Sequence, residues 1–327
     1  MSSTTTPAPR SPAPAPASRP GGGRRRSQAE KPKWGPVAVF LGPAIVLLAF
    51  FLFYPAIYTL RLSLYRGRLG EFTGWVGLDN YVRLFTRDPA FLDLSTFPPS
   101  GALFNNLLWI VFYVSGCLFF GMIIAVLAGR VRYEAFIKAV VFVPMAIAAT
   151  ALAVIFLFVY APDPDIGLLN AILGVANAGP VSWLGQKSTV NYALILVGIW
   201  GAVGFATVIL SAALKGIPIE IMEAARTDGA SEPQIFRRII LPMMRIPISV
   251  LAVTLVVNVI KIFDLIYVMT VGGPGTASRV IAFTFYQESL SAGKYGYGAA
   301  VAVIMLAILI PVMVFNVRRF RSEDVRS

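Results

Sequence analysis

The chain has 327 residues, of which 57% are hydrophobic and only 13% are charged, and its mean hydropathy is +0.74. A soluble domain carries about 25% charged residues, so this composition indicates a membrane protein. The absence of histidine excludes histidine-based catalysis and histidine metal sites, and the single cysteine excludes an intrachain disulfide.

The first 33 residues are rich in Pro, Ala and Ser and contain the run Arg24-Arg25-Arg26. Such a segment cannot bury a core, so we predict a disordered, basic cytoplasmic tail over residues 1–33. The net charge of +12 is spread over tails and short loops instead of one face. That distribution argues against a nucleic-acid partner.

Six charge-poor stretches follow, and each is long enough to cross a bilayer, for which a helix needs about 20 apolar residues. They lie at residues 34–60, 94–129, 139–162, 188–214, 246–271 and 295–317. We therefore predict an all-α polytopic membrane protein with six transmembrane helices. Its parts are a first helix over 34–62, an external loop over 63–102, a five-helix core over 103–317 and a cytoplasmic tail over 318–327. The uncharged run 166–186 is interrupted by Gly, Asn and Pro, which favours a surface or capping segment over a seventh span.

Lys and Arg in the loops predict the orientation, because cytoplasmic loops carry an excess of them. With a cytoplasmic N-terminus, the inner segments hold 19 basic residues and the outer loops hold eight. We therefore predict that both termini and the loop over residues 215–245 face the cytoplasm.

The loop over residues 215–245 has the pattern of a helix–turn–helix. Pro218 suits the start of a first helix, and Gly229 suits a left-handed residue at its end. Ser231 followed by Gln234 is a capping-box pattern for a second helix, which Pro242 ends or bends. A short amphipathic hairpin of this kind is typical of a docking site for a partner. The alternative is an ordinary solvated loop between two spans.

This loop resembles the signature of permease subunits in binding-protein-dependent ATP-binding-cassette (ABC) importers. The signature is Glu-Ala-Ala, three residues, Gly, nine residues, Ile, one residue and Leu-Pro. In that family the loop is a coupling helix that seats in a cleft of the ATPase subunit. The resemblance therefore implies the type I ABC importer permease fold and an ATPase-coupling role for Glu223, Ala224, Ala225, Asp228, Gly229, Ile239, Leu241 and Pro242.

Three further stretches resemble the sugar-permease branch, namely Tyr54-Pro55, Gly77-Leu78-Asp79-Asn80-Tyr81 and Gly272-Gly273-Pro274. The stretch 260–297 resembles permeases for α-glucosides. The resemblance implies a subunit of a carbohydrate importer in the bacterial cytoplasmic membrane, with an α-glucoside or another oligosaccharide as substrate. It implies no cofactor or metal. The implied partners are a second homologous permease, a dimer of ABC ATPase subunits, an extracytoplasmic solute-binding protein and the sugar.

The chain itself is not expected to be an enzyme. It lacks the Gly-x-x-x-x-Gly-Lys-Ser/Thr phosphate loop, so we expect ATP hydrolysis in a partner subunit. A permease for another solute, such as glycerol phosphate or a different sugar, is an alternative. An ion-driven secondary transporter is a weaker one, because such proteins typically show internal repeats or several buried charges. A membrane enzyme is a third alternative, and the absence of histidine and of a clustered acidic site in the sequence argues against it.

Two spans hold candidates for a solute pathway. Glycines in the fourth span allow close approach, although ordinary helix packing is the alternative, and an aromatic ring can stack on a sugar. Polar groups in the fifth span are costly in lipid and therefore functional or paired, and Lys261 and Asp264 could neutralise each other. Resemblance to the maltose-type permease also implies contacts near Val259 and Ile262. The candidates are Gly198, Trp200, Gly201, Phe205, Asn258, Lys261, Asp264 and Tyr267.

Overall fold

The computed structural model describes residues 34–67, 71–95 and 97–324, so the predicted tail over residues 1–33 lies outside the described residues. Within the described ranges the regular elements are helices. Two isolated antiparallel bridges, Tyr65–Trp75 and Asp93–Ser100, occur in the loop that follows the first helix. The prediction of an all-α chain is confirmed.

The chain divides into two units, one ending at Phe53 and one beginning at Tyr54. The first unit contains α1 (Trp34–Leu48) and a π-helical turn (Ala49–Phe53). Its residues from Val39 onward are apolar throughout and almost all exposed. A helix that is apolar on every side and uncovered suits a lipid environment.

The second unit contains the remaining helices, three of which continue into π-helical turns at Ile110–Val114, Phe236–Ile240 and Gln287–Ser291. In chain order the helices are α2 (Tyr54–Leu62), α3 (Asp79–Thr86), α4 (Ala102–Trp109), α5 (Ser115–Ala128), α6 (Glu134–Ala146), α7 (Ala149–Val159), α8 (Leu168–Val175), α9 (Val190–Lys215), α10 (Ile219–Thr227), α11 (Glu232–Ile235), α12 (Leu241–Met243), α13 (Arg245–Ile260), α14 (Asp264–Met269), α15 (Ile281–Tyr286) and α16 (Tyr295–Asp324).

Four stretches of the described chain are long and apolar enough to cross a membrane as single helices, at Val39–Leu62, Ala102–Ala128, Val190–Lys215 and Tyr295–Asn316. Two bent pairs raise the number to six if each pair is one span. These are α6 with α7, bent by 97°, and Glu232–Met243 with α13, bent by 67°. The six stretches correspond in order to the six predicted spans, and the run 166–186 holds only the short helix α8.

The predicted third and fifth spans are therefore not straight helices. Pro144 removes a backbone donor near the end of α6, and Ile147 is then extended before α7 begins. The bend at Met244, which follows Pro242, lies just before the predicted start of the fifth span at residue 246. Helix α13 then ends at Ile260, so the predicted continuation to residue 271 is wrong. Hydropathy does not reveal these breaks, because the residues on both sides of each are mainly apolar.

Helix α9 is the most buried of the candidate spans and packs along α5 and α6. At Gly204 it reaches the backbone of α6, where a Cβ atom would lie 2.3 Å from the carbonyl oxygen of Val141. Lipid gives helices little hydrophobic drive to associate, so close backbone approach supplies van der Waals contact instead. Gly204 therefore sets the distance between these two helices.

Buried amide side chains tie the irregular segment between α14 and α15 to the helices. Asn105 donates to the carbonyl oxygens of Ala277 at 2.8 Å and Arg279 at 2.7 Å. Asn191 of α9 donates to the Oδ1 atom of Asn105 and to Ala277. Asn106 donates to Val259 and accepts a bond from the Ile281 amide at 2.7 Å. These bonds satisfy backbone groups that have no helical partner, which a buried segment requires.

The stretch Gly77–Tyr81 orders the loop after α2. The Nδ2 atom of buried Asn80 donates to the carbonyl oxygens of Ser63 at 2.7 Å and Tyr65 at 3.0 Å. The hydroxyl of Tyr81 lies 2.6 Å from that of Ser63. This stretch, which resembles sugar permeases in sequence, therefore stabilises the loop after α2 through hydrogen bonds.

We predict that Gly204→Ala lowers the melting temperature of the purified chain in detergent. The new methyl group must push α6 and α9 apart, and overpacking of this kind costs about 1–3 kcal/mol. Thermal unfolding followed by circular dichroism measures the shift.

Gly174→Ala is the matched control, because no atom lies within 4 Å of a Cβ at Gly174 and alanine favours the helix there. Equal melting temperatures for the two variants would contradict the proposed contact between α6 and α9.

Candidate functional site

An exposed hairpin connects α9 to α13. Its first arm is α10, which begins directly after Pro218 and ends in a left-handed turn, with φ of +81° at Gly229. The Ala230 amide donates to the Ala225 carbonyl and the Gly229 amide to the Arg226 carbonyl, both at 3.0 Å. This pair of bonds is a Schellman motif, which closes a helix through a left-handed residue. The predicted conformation of Gly229 is confirmed.

Gly229 is required for its backbone conformation and not for packing within the chain. No atom lies within 4 Å of a Cβ built at this position. A residue with a side chain would pay the steric cost of the left-handed region, about 1–2 kcal/mol. The outer face of the turn is left open.

The second arm of the hairpin begins with the predicted capping box. The Ser231 amide donates to the Oε1 atom of Gln234 at 2.8 Å, which confirms that prediction. Glu232 accepts bonds from Arg226 at 2.8 Å and from Arg130, in the α5–α6 loop, at 3.1 Å. The bond that Arg226 donates to Glu232 raises the pKa of Arg226 above its ordinary value. All three side chains are exposed, so these pairs orient the hairpin more than they stabilise it.

The residues predicted to couple to the ATPase lie along this hairpin, and most of them are exposed. Ile217 and Ile235 are buried, and Ile217 belongs to the hydrophobic core of the unit, so it anchors the base of the hairpin. The outer face of the hairpin thus presents small, apolar and charged side chains to its surroundings. Ala225 and Ile239 are half-buried, and the exposed members are Glu223, Ala224, Asp228, Gly229, Leu241 and Pro242.

A cavity of about 250 Å³ lies where the break between α6 and α7 meets α9 and α13. Three predicted pathway residues, Gly198, Gly201 and Asn258, line it together with Val259 and Ile262. The rest of the lining is mainly apolar and includes the ring of Tyr113. Asn258 is exposed, so its amide is available for a hydrogen bond in this apolar setting.

Two other pathway candidates lie outside that cavity lining. Trp200 packs edge-on against Phe156, with ring centroids 5.3 Å apart, and Phe205 packs half-buried against the core. Gly198 also has a packing role, because a Cβ there would lie 2.9 Å from the ring of Trp109. Glycine at this position therefore fits both the packing interpretation and the pathway interpretation.

The expectation that Lys261 and Asp264 neutralise each other is wrong. Helix α13 ends at Ile260 and α14 begins at Asp264, so the two residues do not share a helical face. Both side chains are exposed, and no ion pair between them occurs in the described chain. They border a break in the fifth span instead of forming a buried pair.

Tyr267 belongs to an aromatic cluster that our sequence analysis missed. Its ring stacks on Phe263 at 5.2 Å and meets Tyr286 edge-on at 5.3 Å, and Phe283 packs behind Phe263. The spacing of four between Phe263 and Tyr267 was visible in the sequence. Tyr286 comes from α15, after the irregular segment, so local spacing could not place it here.

Residues 118–320, more than half of the chain, match the model of the family described as binding-protein-dependent transport system inner membrane component. The chain belongs to this family. It is therefore a membrane component of a transport system, and its predicted family resemblance is confirmed.

Two relatives of the chain cover most of its length. It is 43% identical over 290 residues to the osmoprotective compounds uptake permease protein GgtC of Synechocystis sp., covering 88% of this chain and 99% of the relative. It is 38% identical over 291 residues to the alpha-glucoside transport system permease protein AglF of Rhizobium meliloti, covering 88% and 82%.

A solved structure has the same fold. It is the crystal structure of a bacterial ABC transporter involved in the import of the acidic polysaccharide alginate, with a TM-score of 0.72 and 22% identity over 88% of this chain and 96% of that chain. The predicted ABC importer permease fold is confirmed by this match.

We predict that Asn258→Cys in a Cys117→Ser background reacts with a water-soluble maleimide in membranes. Cys117 is the single cysteine of the chain, so its replacement leaves the new thiol as the one cysteine that can react. The exposed position of Asn258 at the cavity makes the new thiol accessible to the reagent, and gel-shift labelling measures the rate.

Leu255→Cys, nearly one turn earlier on α13 and fully buried, is the control and should label slowly. Comparable labelling rates at both positions would contradict an open cavity at Asn258.

Proposed function

We propose that this chain is one of two permease subunits of an ATP-driven carbohydrate importer in the bacterial cytoplasmic membrane. It forms half of the translocation pathway, and a second homologous permease forms the other half. A dimer of ABC ATPase subunits binds on the cytoplasmic side, and a solute-binding protein delivers sugar from outside. Membership of a binding-protein-dependent family supports this division of labour.

The hairpin around Gly229 is the observation that carries the proposal. Its first helix ends in a Schellman turn and its base is anchored by buried Ile217, so its exposed outer face has the form of a knob that would fit a cleft on another protein. In this proposal the ATPase dimer closes on ATP, displaces the hairpin and opens the spans outward. Hydrolysis, which takes place in the partner, returns the pathway to the inward-facing state.

The proposal requires the hairpin to lie in the cytoplasm. The excess of Lys and Arg in the segments on its side of the membrane supports that orientation, with both termini also inside. The cavity between the α6–α7 break and α13 is then a candidate part of the solute pathway. Its apolar walls and the amide of Asn258 suit a sugar, which presents both apolar faces and hydroxyl groups.

The names of the two relatives support an α-glucoside as the solute. One is named for alpha-glucoside transport and the other for uptake of osmoprotective compounds. A non-reducing disaccharide such as trehalose would satisfy both descriptions. The stacked rings of Phe263 and Tyr267 suit a sugar face, and they also suit a quaternary ammonium group. A zwitterionic osmoprotectant is therefore the second candidate.

Reconstitution tests the proposed function. The chain, its partner permease, the ATPase and the binding protein are assembled in liposomes, and uptake of radiolabelled trehalose, maltose and glycine betaine is measured with and without ATP. We expect ATP-dependent uptake of a disaccharide by the complete assembly. Uptake by the chain alone would overturn the proposal, and uptake of glycine betaine alone would overturn the sugar assignment.

We predict that Gly229→Val reduces ATP-dependent uptake in that assembly by about tenfold, a free-energy change of about 1.4 kcal/mol. A β-branched residue strongly disfavours the left-handed conformation, so the turn must rearrange and the knob changes shape. The ratio of transport to ATP turnover measures the effect.

Gly229→Asn is the matched control, because asparagine tolerates the left-handed region. It should retain most of the uptake. If the valine variant transports as well as the native chain, the turn has no part in coupling.

A further inference from the structure

A partly buried ion cluster joins α6 to the end of α9. Glu134, the first residue of α6, accepts a bond from the Nζ atom of Lys215 at 2.9 Å and one from the hydroxyl of Ser211 at 3.3 Å. It also pairs with Lys138, one turn further along α6. The side chain of Glu134 is about one-fifth exposed, and Ser211 is buried.

The contacts of Glu134 differ in what they connect. Lys138 lies on the same helix as Glu134, so that pair is local. Lys215 and Ser211 lie on α9, so their bonds join two helices. Lys215 is the last residue of α9, and only Gly216, Ile217 and Pro218 separate it from α10. The cluster therefore lies at the base of the hairpin.

The opposite end of α6 lies at the cavity. Pro144, Met145 and Ile147 line it, and Ala149 and Leu152 of α7 continue the lining beyond the bend of 97°. Between these two ends, α6 touches α9 at Val141 and Gly204. The ion pair between Glu134 and Lys215 and the close packing of Val141 on Gly204 thus hold α6 against α9 at two positions along the helix.

We infer that Glu134 is a positioning residue that transmits displacement of the hairpin to the cavity, an inference that rests on the proposed function. A movement of the hairpin pulls on the end of α9 at Lys215. The bond from Lys215 to Glu134 passes that movement to the start of α6. Because α6 stays packed against α9 at Gly204, its other end moves at the break, and the angle between α6 and α7 changes where the cavity is lined.

Charge is essential to this link. Glu134 lies between two ammonium groups, and its carboxylate is less exposed to screening by water than that of Glu232 in the hairpin, whereas Lys215 is 62% exposed. With a neutral residue at position 134, Lys215 and Lys138 would repel each other, and the end of α9 would separate from α6.

The test compares Glu134→Gln, Lys215→Gln and Lys138→Gln in the reconstituted assembly. We expect the first two to lower the number of solute molecules carried per ATP hydrolysed by roughly threefold or more, within the range by which coupling residues act. Lys138→Gln should keep the ratio near that of the native chain, because the bond between the helices survives. Asp79→Asn, at an exposed ion pair with Arg87, is a control that removes a carboxylate elsewhere.

A charge exchange separates a positioning role from a folding defect. Glu134→Lys combined with Lys215→Glu restores an ion pair between α6 and α9, although it leaves two lysines one turn apart on α6, and it should restore part of the ratio, whereas either single reversal should lose it. Melting temperatures of the assembled complexes identify variants that fail to fold.

Two results would overturn the inference. One is that Glu134→Gln carries as many solute molecules per ATP hydrolysed as the native chain. The other is that Lys138→Gln lowers this number as much as Glu134→Gln does. A native assembly that lacks ATP-dependent uptake would instead overturn the proposed function, so the two failures can be told apart.

Discussion

The close approach of α9 to α6 at Gly204 is the contact on which the rest of the second unit depends. In a membrane, helix association relies on backbone proximity and side-chain hydrogen bonds, since lipid is as apolar as leucine. Gly204 brings the backbone of α9 against Val141, and Gly121 of α5 meets Ala206 on another side of α9. Helix α9 therefore lies at the centre of this packing, in contact with both α5 and α6. The cavity, the ion cluster and the hairpin are all built on residues of this helix or directly adjoining it.

Buried amide side chains hold the irregular segments in place, as the close packing at Gly204 holds the helices together. The chain between α14 and α15 has carbonyl groups without helical partners, and Asn105 and Asn191 donate to them. Asn170 does the same after α7, bonding Ala161, Pro162 and Val181. Each amide replaces several backbone bonds at once, so one side chain orders a whole connection. In this way a mostly helical chain supplies hydrogen-bond partners to backbone groups in its non-helical stretches.

Local chemistry was predictable from the sequence, and contacts between distant elements were not. The left-handed Gly229 and the capping box at Ser231 depend on neighbouring residues, and the structure agrees with both. The bend after Pro144 and the end of α13 at Ile260 were missed, because the residues on both sides are mainly apolar and hydropathy stays high. The pairing of Tyr267 with Tyr286 joins residues separated by a folded segment. No local pattern encodes such a contact.

The positions of the breaks suggest a physical division of the second unit into stiff and pliable parts. The backbone leaves helical geometry at Ile147–Ala148, at Met244 and at Lys261–Phe263, whereas α9 runs unbroken for 26 residues. Element ends absorb φ and ψ changes more readily than helix interiors, because no ladder of hydrogen bonds must be broken there. Two of these breaks contribute residues to the cavity, and the third lies where the hairpin joins α13. In the proposed mechanism, a displacement of the hairpin would change the shape of the cavity by rotation at the breaks, while the packing of α9 against α6 is preserved.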